Sequence, residues 1–233
     1  MNIAVVIPAL NEEAALGPVL AAIPRAGDDW RVREVVVADN GSTDRTAEVA
    51  RAGGATVVRE PRRGYGAACL AALAHLRRDP PEVVAFLDGD GSDDPGELPA
   101  LLAPILQNEA ELVIGSRVLG EREPGALTPV QEFGNVVACS MLRIAFGVRH
   151  TDLGPFRAIR WNALQRLGMR DPDYGWTVEM QARAARLGLR GVEIPVRYRR
   201  RRAGTSKVAG TLRGAWGAGT KILWTIGRVR LGG

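Results

Sequence analysis

Two aspartates separated by a single glycine, Asp88 and Asp90, directly follow the apolar run 83–87. Carboxylates at this spacing can reach one hard cation, and the glycine lets the backbone turn tightly beside a ligand. A Mg²⁺ or Mn²⁺ ion held in this way takes phosphate oxygens as further ligands and offsets the charge that develops on a leaving diphosphate. The same spacing also suits a polar turn that caps the next helix, so the pair alone does not separate the two interpretations.

Two further polar segments, residues 8–13 and residues 39–44, follow the first two apolar runs of the chain. Side chains of the second segment can contact a base or a ribose, although an Asx turn with Ser42 or Thr43 as a helix N-cap is locally just as natural. Asn11 likewise suits a cap of the first helix. Three such segments in order along the chain are more specific than any one of them.

These segments need a scaffold that brings strand ends together. In the first half of the chain, short β-branched runs alternate with segments of helical spacing, which predicts a parallel sheet covered by helices. The predicted strands are 3–7, 34–38, 56–59, 83–87, 112–114, 156–159 and 189–198, and the predicted helices are 12–23, 43–52, 64–77, 97–107, 128–146, 161–167, 176–187 and 211–226. Ligands of an open parallel sheet bind at the carboxyl ends of its strands, where the three polar segments converge.

The chain has 233 residues, of which 46% are hydrophobic and 24% charged, as expected for one large globular domain. Cys69 and Cys139 stand far apart in apolar stretches, which is typical of small buried hydrophobes in a reducing cytoplasm. No run reaches the ~18 apolar residues of a membrane span. Met1 leads straight into a predicted strand and not into a signal peptide. We therefore expect one compact cytoplasmic domain.

The formal net charge is +5, and much of the excess lies late in the chain, at Arg197, residues 199–202 and Lys207. Such a run suits a nucleic acid, an anionic membrane surface or a phosphorylated substrate. Aromatic residues do not interleave with it beyond Tyr198, so we expect no nucleic-acid partner. The run follows a predicted strand end and leads to Ser206 and Lys207, which favours a phosphate-binding loop.

In this order, residues 8–13, residues 39–44 and Asp88-Gly89-Asp90 resemble the three signatures of glycosyltransferase family 2, which has the GT-A fold. The resemblance covers nearly the whole chain, because it extends through residues 115–117, 151–157 and 204–207. Within the family the chain is most similar to the dolichol-phosphate mannose and glucose synthase-like branch. Those enzymes transfer a sugar from GDP-mannose or UDP-glucose to a polyprenyl phosphate.

The resemblance implies an α/β protein with a GT-A (Rossmann-like), mostly parallel sheet flanked by helices. It implies one domain, residues 1–233, with a nucleotide-sugar-binding half, 1–118, and an acceptor half, 119–233, that contains the basic loop and a C-terminal helix. The implied donor-binding residues are Pro8, Ala9, Asn11, Glu12, Asp39, Asn40, Asp88, Gly89, Arg117, Arg202, Ser206 and Lys207. Asp88 and Asp90 would hold Mg²⁺ or Mn²⁺. Asn40 departs from the family's usual pair of acidic residues, so ribose contacts are expected to differ.

The resemblance also implies an inverting reaction by direct attack, with Asp88 and Asp90 at the catalytic centre. A phosphate acceptor is already anionic and needs no strong base. A hydroxyl acceptor needs one, and Asp152 and Glu179 are the candidates. Helix capping for Asp152 and a surface helix position for Glu179 are the plain structural alternatives. The expected partners are a UDP- or GDP-hexose and a polyprenyl (dolichol-like) phosphate.

Two other functions compete with this one. A nucleotidyltransferase that makes nucleotide sugars uses similar metal and diphosphate chemistry, but residues 8–11 lack the glycine-rich loop expected near its first strand. A non-catalytic nucleotide-sugar- or RNA-binding domain is the second alternative. Separately, the apolar stretches 135–146 and 211–226, together with the basic run, predict peripheral contact with the inner face of a membrane.

Overall fold

The computed structural model describes residues 1–201 and 212–232, and it describes no side chains for 212–219. Within these ranges it contains one sheet and helices on both sides of it. The strands are β1 Asn2–Ala9, β2 Arg31–Asp39, β3 Thr56–Arg59, β4 Val83–Phe86, β5 Leu112–Ser116, β6 Arg157–Arg160 and β7 Gly191–Pro195. The helices are α1 Glu13–Ala22, α2 Thr46–Ala52, α3 Tyr65–Leu76, α4 Leu98–Leu106, α5 Pro129–Phe146, α6 Trp161–Leu167, α7 Trp176–Arg186 and α8 Leu212–Arg230.

The strand order in the sheet is β3-β2-β1-β4-β6-β5-β7. Neighbouring strands are parallel except where β6 runs antiparallel to β4 and to β5. Ala9 pairs with Asp39 at the ends of β1 and β2, and Val6 pairs with Phe86 two residues before Asp88. The mostly parallel α/β sheet is confirmed, and its topology brings the three polar segments to one edge.

Both faces of the sheet are covered, which explains the continuous apolar sequences of the central strands. Residues of α1 and α4 pack on one face, whereas α3, α6 and α7 pack on the other. A third apolar cluster joins α5, α7 and α8 outside this second layer. Cys69 and Cys139 are free and buried, as predicted. Burial of strands on both faces holds the polar strand ends in fixed relative positions.

The predicted start of the second helix is wrong, because α2 begins only at Thr46. Ser42 and Thr43 do not cap it, and the preceding turn is instead closed by Asp44, whose Oδ1 accepts a hydrogen bond from the Thr46 amide at 2.9 Å. Asn11 does not cap α1 either. It has a φ of 54°, and Glu12 holds the N-cap position. The polar residues at the ends of β1 and β2 therefore hydrogen-bond to loop residues and do not cap the helices that follow.

The predicted strand 189–198 is shortened to Gly191–Pro195. Beyond Pro195 the chain leaves the β5 edge, and the Tyr198 amide donates to the Glu121 carbonyl at 2.9 Å. Tyr198 also forms isolated bridges with Asp93 and Arg122. These contacts turn the chain toward the acidic loop after β4, so the arginines that follow reach the edge of the sheet where the polar segments meet.

We predict opposite effects of alanine at two helical glycines. At Gly66 in α3 a Cβ would collide with the carbonyl oxygen of Asp171, whereas at Gly134 in α5 it would meet no atom within 4 Å. Gly66→Ala should destabilise the protein by about 1–3 kcal/mol through overpacking. Gly134→Ala should stabilise it by about 0.5–1 kcal/mol because alanine is the better helix former. Urea unfolding measures both, and equal effects of the two substitutions would contradict the packing of α3 on residues 171–172.

Candidate active site at the ends of the parallel strands

A pocket opens at the carboxyl ends of β1, β2 and β4. Residues of both halves of the chain line it, namely Pro8, Ala9, Leu10, Glu12, Asn40, Arg63, Gly64, Tyr65, Ala68, Asp88, Gly89, Asp90, Asp173, Tyr174 and Arg201. The sequence analysis had named the residues of the β1 and β4 ends and Asn40. The residues at the start of α3 and the pair before α7 were not predicted, and Arg201 was predicted only as a member of the basic run. The site is thus a cleft between the sheet edge and elements of the second half.

Asn40 shapes one wall of this pocket as well as lining it. Its Nδ2 donates to the carbonyl oxygens of Glu60 at 3.1 Å and Arg62 at 2.7 Å, and its Oδ1 accepts from the Gly64 amide at 2.8 Å. These three bonds hold the loop between β3 and α3 and place Arg63 at the pocket. An aspartate at this position lacks the two amide donors, which gives the departure at Asn40 a structural reason.

Asp173 and Tyr174 reach the pocket only through tertiary packing. The Ala67 amide donates to the Pro172 carbonyl at 2.7 Å, and this contact ties the segment before α7 to the start of α3. No local pattern in residues 171–175 distinguishes them from an ordinary loop. The glycines at positions 64 and 66, which permit the close approach, are the one sequence signal that could have indicated it.

Asn11 and Asp39 were predicted to bind the donor, but neither lines the pocket. Asn11 Oδ1 accepts from the Thr43 amide at 2.8 Å, and the Asn11 amide donates to Ser42 Oγ at 3.0 Å. Asp39 is buried, and its Oδ1 accepts from the Ser42 amide at 2.9 Å. The Asn11 side chain therefore fastens the end of β1 to the loop after β2, whereas Asp39 closes the turn at the end of its own strand. The role of both residues toward a donor stays a prediction.

Three aspartates meet in the loop that follows β4. Asp90 and Asp93 are almost completely buried, and Gly91 adopts a φ of +75° in the turn between them. Tyr65 donates its hydroxyl to Asp88 Oδ1 at 3.1 Å. Burial, and then the charge of Asp90, raise the pKa of Asp88 to about 7. Burial, followed by the charges of Asp88 and Asp90, raises the pKa of Asp93 well above its ordinary value. The loop therefore concentrates negative charge that favours a cation.

The arginines that follow β7 supply positive charge to this region. Arg201 lies 2.8 Å from Asp90 Oδ2 and 2.9 Å from Glu12 Oε1, while Arg199 lies 2.7 Å from Asp94 Oδ2. Arg197, Arg199 and Arg201 of the basic run are thus paired with carboxylates, whereas Arg200 Nε donates to the Pro124 carbonyl at 2.6 Å. Arg202, Ser206 and Lys207, the predicted phosphate-binding residues, lie outside the described residues.

Arg117 lies at the end of β5 and forms a buried, bidentate pair with Asp152. Its Nε and Nη2 lie 2.8 and 2.7 Å from the two carboxylate oxygens, and the Arg117 amide donates to Oδ2 at 2.8 Å. The guanidinium also stacks 5.0 Å from the centre of the Tyr198 ring. Burial lowers the pKa of Arg117, but the hydrogen bonds and the charge of Asp152 outweigh it and raise the pKa. Arg117 does not line the pocket.

Glu179, the second candidate base, is fully buried in α7, so the alternative of a surface helix position is wrong. Its Oε2 accepts from the amides of Arg170 and Asp171 at 2.9 and 2.7 Å. Its Oε1 pairs with Arg183 at 2.9 Å and with Arg228 of α8 at 3.0 Å. These contacts connect α7 to α8. The catalytic role of Glu179, like that of Asp152, stays a prediction.

Asp88 and Asp90 are the residues best placed to hold a divalent cation. The described part of the chain contains no group of three His, Cys, Asp or Glu side chains arranged for a metal. Mg²⁺ is commonly bound through one or two carboxylates, with waters and substrate phosphates as the remaining ligands, so two aspartates fit a cation that binds with a diphosphate. Asp93 Oδ1 is buried without a described hydrogen-bond partner and adds negative charge beside them.

We predict that Asp152→Asn costs about 3–5 kcal/mol of stability, because it leaves the buried Arg117 without a countercharge. The exposed Asp28→Asn removes the same charge at the surface and should leave stability nearly unchanged. Chemical unfolding of both variants measures the difference. A variant Asp152→Asn with unaltered stability but lost turnover would instead identify Asp152 as a base.

The sequence and the fold of this chain are similar to those of known glycosyltransferases. Residues 4–176 match the family described as Glycosyl transferase family 2. An uncharacterized glycosyltransferase of Mycobacterium tuberculosis is 45% identical over 215 residues, which cover 91% of this chain and 92% of that protein. Undecaprenyl-phosphate mannosyltransferase of Micrococcus luteus is 31% identical over an alignment of 257 residues that covers 100% of both chains. Glucosyl-3-phosphoglycerate synthase of Mycobacterium tuberculosis, solved in complex with Mn²⁺, UDP and glucosyl-3-phosphoglycerate, is 27% identical with a TM-score of 0.75, covering 97% of this chain and 80% of that chain. This chain is therefore a glycosyltransferase of the GT-A fold and belongs to glycosyltransferase family 2.

Proposed function

We propose that this glycosyltransferase moves a hexose from a UDP- or GDP-hexose to a polyprenyl phosphate, with Mg²⁺ or Mn²⁺ bound at Asp88 and Asp90. The observation that carries the proposal is the pocket that joins the acidic end of β4 to both halves of the chain. The relative from Micrococcus luteus, named for a polyprenyl-phosphate acceptor, supports the acceptor class. The solved synthase that holds Mn²⁺ and UDP in the same fold supports a metal-assisted nucleotide donor.

In the proposed mechanism, different walls of the pocket hold the nucleoside and the diphosphate of the donor. Pro8, Ala9 and Asn40 line the end of the pocket formed by β1 and β2, where we place the nucleoside. A divalent cation at Asp88 and Asp90 would offset the charge that develops on the leaving diphosphate. An oxygen of the acceptor phosphate attacks the anomeric carbon from the opposite side. The bond from that carbon to the diphosphate oxygen breaks, and the configuration inverts.

The environment of the two candidate bases supports a phosphate acceptor. Asp152 and Glu179 are both fully buried, and both carboxylate oxygens of each accept hydrogen bonds from arginine or backbone donors. The oxygens of both carboxylates are thus already engaged, and neither residue lines the pocket. A hydroxyl acceptor needs a base that removes its proton, whereas an ionised phosphate attacks without that step.

The competing functions have less support. Membership of a glycosyltransferase family disfavours a nucleotidyltransferase, and the segment after β1 contains no glycine-rich loop. An RNA-binding surface needs unpaired basic residues. Arg197, Arg199 and Arg201 instead form ion pairs with carboxylates, which reduces the positive charge that a phosphate backbone would meet.

We predict that one of UDP, GDP, UDP-glucose and GDP-mannose raises the melting temperature in a Mn²⁺-dependent manner. A ligand at ~100 times its dissociation constant adds about 2.7 kcal/mol of stability. Asp90→Asn should abolish the Mn²⁺-dependent part and sugar transfer to a short polyprenyl phosphate. Asp94→Asn, which changes the same loop outside the pocket, should retain the Mn²⁺-dependent shift. Transfer to 3-phosphoglycerate but not to the lipid phosphate would contradict the proposed polyprenyl-phosphate acceptor. Full sugar transfer by Asp90→Asn would refute the metal site.

Two helices offer a surface for peripheral membrane contact. No helix in the described ranges has both the length and the apolar character needed to cross a bilayer. However, α5 exposes Phe133 and Ile144 along one stripe, and α8 exposes Trp224 between Lys221 and Arg228, whose charged groups lie within about 5 Å of its ring. Apolar side chains beside cationic groups suit an anionic lipid surface.

The same surface is connected to the pocket wall. Lys221 Nζ of α8 lies 3.3 Å from Asp171 Oδ2, and Thr225 donates to the same oxygen at 3.3 Å. The Asp173 amide, at the pocket, donates to the other oxygen of Asp171 at 2.9 Å. We therefore place α8 between the membrane and the pocket, at the inner face of a membrane, where a lipid-linked phosphate can reach the donor.

We predict that Phe133→Ser combined with Trp224→Ser reduces flotation with anionic liposomes at low salt by at least about threefold, because the variant loses two apolar groups that would enter the lipid interface. Leu187→Ser, which removes an exposed leucine of neither helix, should float like the unchanged protein. Absence of the unchanged protein from the lipid fraction at low salt would refute the membrane contact.

A further inference from the structure

The segment that ends at Arg201 is held beside the acidic loop by contacts that alternate in direction. The guanidinium of Arg199 lies 2.7 Å from Asp94 Oδ2. The side chain of Arg200 points to the other side of the segment, where its Nε donates to the Pro124 carbonyl at 2.6 Å. This alternation directs the side chain of Arg201 back to the pocket, where it forms part of the lining.

In the pocket, the guanidinium of Arg201 bridges two buried carboxylates. Its Nη2 lies 2.8 Å from Asp90 Oδ2, and its Nη1 lies 2.9 Å from Glu12 Oε1. The remaining oxygen of Asp90, Oδ1, accepts from the Ser92 amide at 2.8 Å. Both oxygens of Asp90 therefore have a partner. Oδ1 accepts from the Ser92 backbone amide, and Oδ2 pairs with the partly exposed side chain of Arg201.

A divalent cation at Asp90 would meet the positive charge of Arg201 at contact distance. Like charges this close repel strongly wherever water is partly excluded, so both cannot share Asp90 Oδ2 at low cost. The side chain of Arg201 is 26% exposed, whereas that of Asp90 is 6% exposed. Arg201 can consequently leave the carboxylate without disturbing the packed loop, and Glu12 provides an anchor next to the site.

We propose that Arg201 is a built-in counter-ion that occupies the cation position at Asp90 and must be released before a divalent metal binds there. The inference rests on the metal role of Asp90 in the proposed function. In its ion pairs with Asp90 and Glu12, Arg201 offsets the repulsion among the buried carboxylates. A nucleotide diphosphate offers the released guanidinium a new anionic partner that matches its planar fork. Metal and nucleotide therefore bind cooperatively, and the metal alone binds weakly.

The test is Mn²⁺ binding without nucleotide, measured by calorimetry and by electron paramagnetic resonance of free Mn²⁺. Arg201→Gln should bind Mn²⁺ at least about fivefold more tightly than the unchanged protein, since it removes the competing ion pair. Arg201→Lys keeps the charge but cannot bridge two carboxylates as a fork, so its affinity should lie between the two. UDP or GDP should tighten Mn²⁺ binding in the unchanged protein more than in Arg201→Gln.

Arg197→Gln is the matched control, because it removes one positive charge from the same segment at an ion pair with Glu97 outside the pocket. Its Mn²⁺ affinity should equal that of the unchanged protein, which separates local competition from net charge. Equal or weaker Mn²⁺ binding by both Arg201 variants would overturn the inference while leaving the metal site intact. Absence of Mn²⁺ binding in all variants, with and without nucleotide, would refute the metal site itself.

Discussion

Negative charge gathered in the loop after β4 is the constraint on which the site depends. Asp88, Asp90 and Asp93 lie within six residues, and burial raises the cost of ionising them together. The structure offsets this cost with arginines that follow β5 and β7. Arg201 pairs with Asp90, and Arg117 lies close enough to lower the pKa values of Asp88 and Asp93. The same concentration of charge makes the loop a suitable place for a divalent cation.

Arg201 and the partner of Arg117 both lie far from β4 in sequence, so the site depends on distant elements of the fold. The buried pair of Arg117 and Asp152 fixes the end of β5 to the loop before β6. Arg157 is fully buried beneath the same loop and donates to the carbonyls of Leu153 and Thr177, at a pKa that burial lowers to about 10. Buried arginines thus hold the loop before β6 and the start of α7 in place.

Helix α8 connects the buried carboxylates near the pocket to the protein surface. Lys221 and Arg228 pair with the buried carboxylates of Asp171 and Glu179, and Trp224 stands exposed between them. Removing either carboxylate would leave a cation without its partner and loosen α8 from α7. In the proposed function, a helix whose orientation is already fixed by these ion pairs would bring a surface-bound acceptor near the pocket at little cost in conformational entropy.

The sequence by itself determined the sheet, the order of its elements and the three acidic or polar strand ends. Buried β-branched runs and helical spacing are local signals, and parallel strands necessarily bring their carboxyl ends to one edge. Only the tertiary structure decided which polar side chains face the pocket. Asn11 bonds to the loop after β2 and Asp39 bonds within that same loop, whereas Asp173 and Arg201 reach the pocket from distant segments. The direction of a polar side chain depends on the partner that satisfies its hydrogen bonds, and that partner is set by packing between segments far apart in the chain.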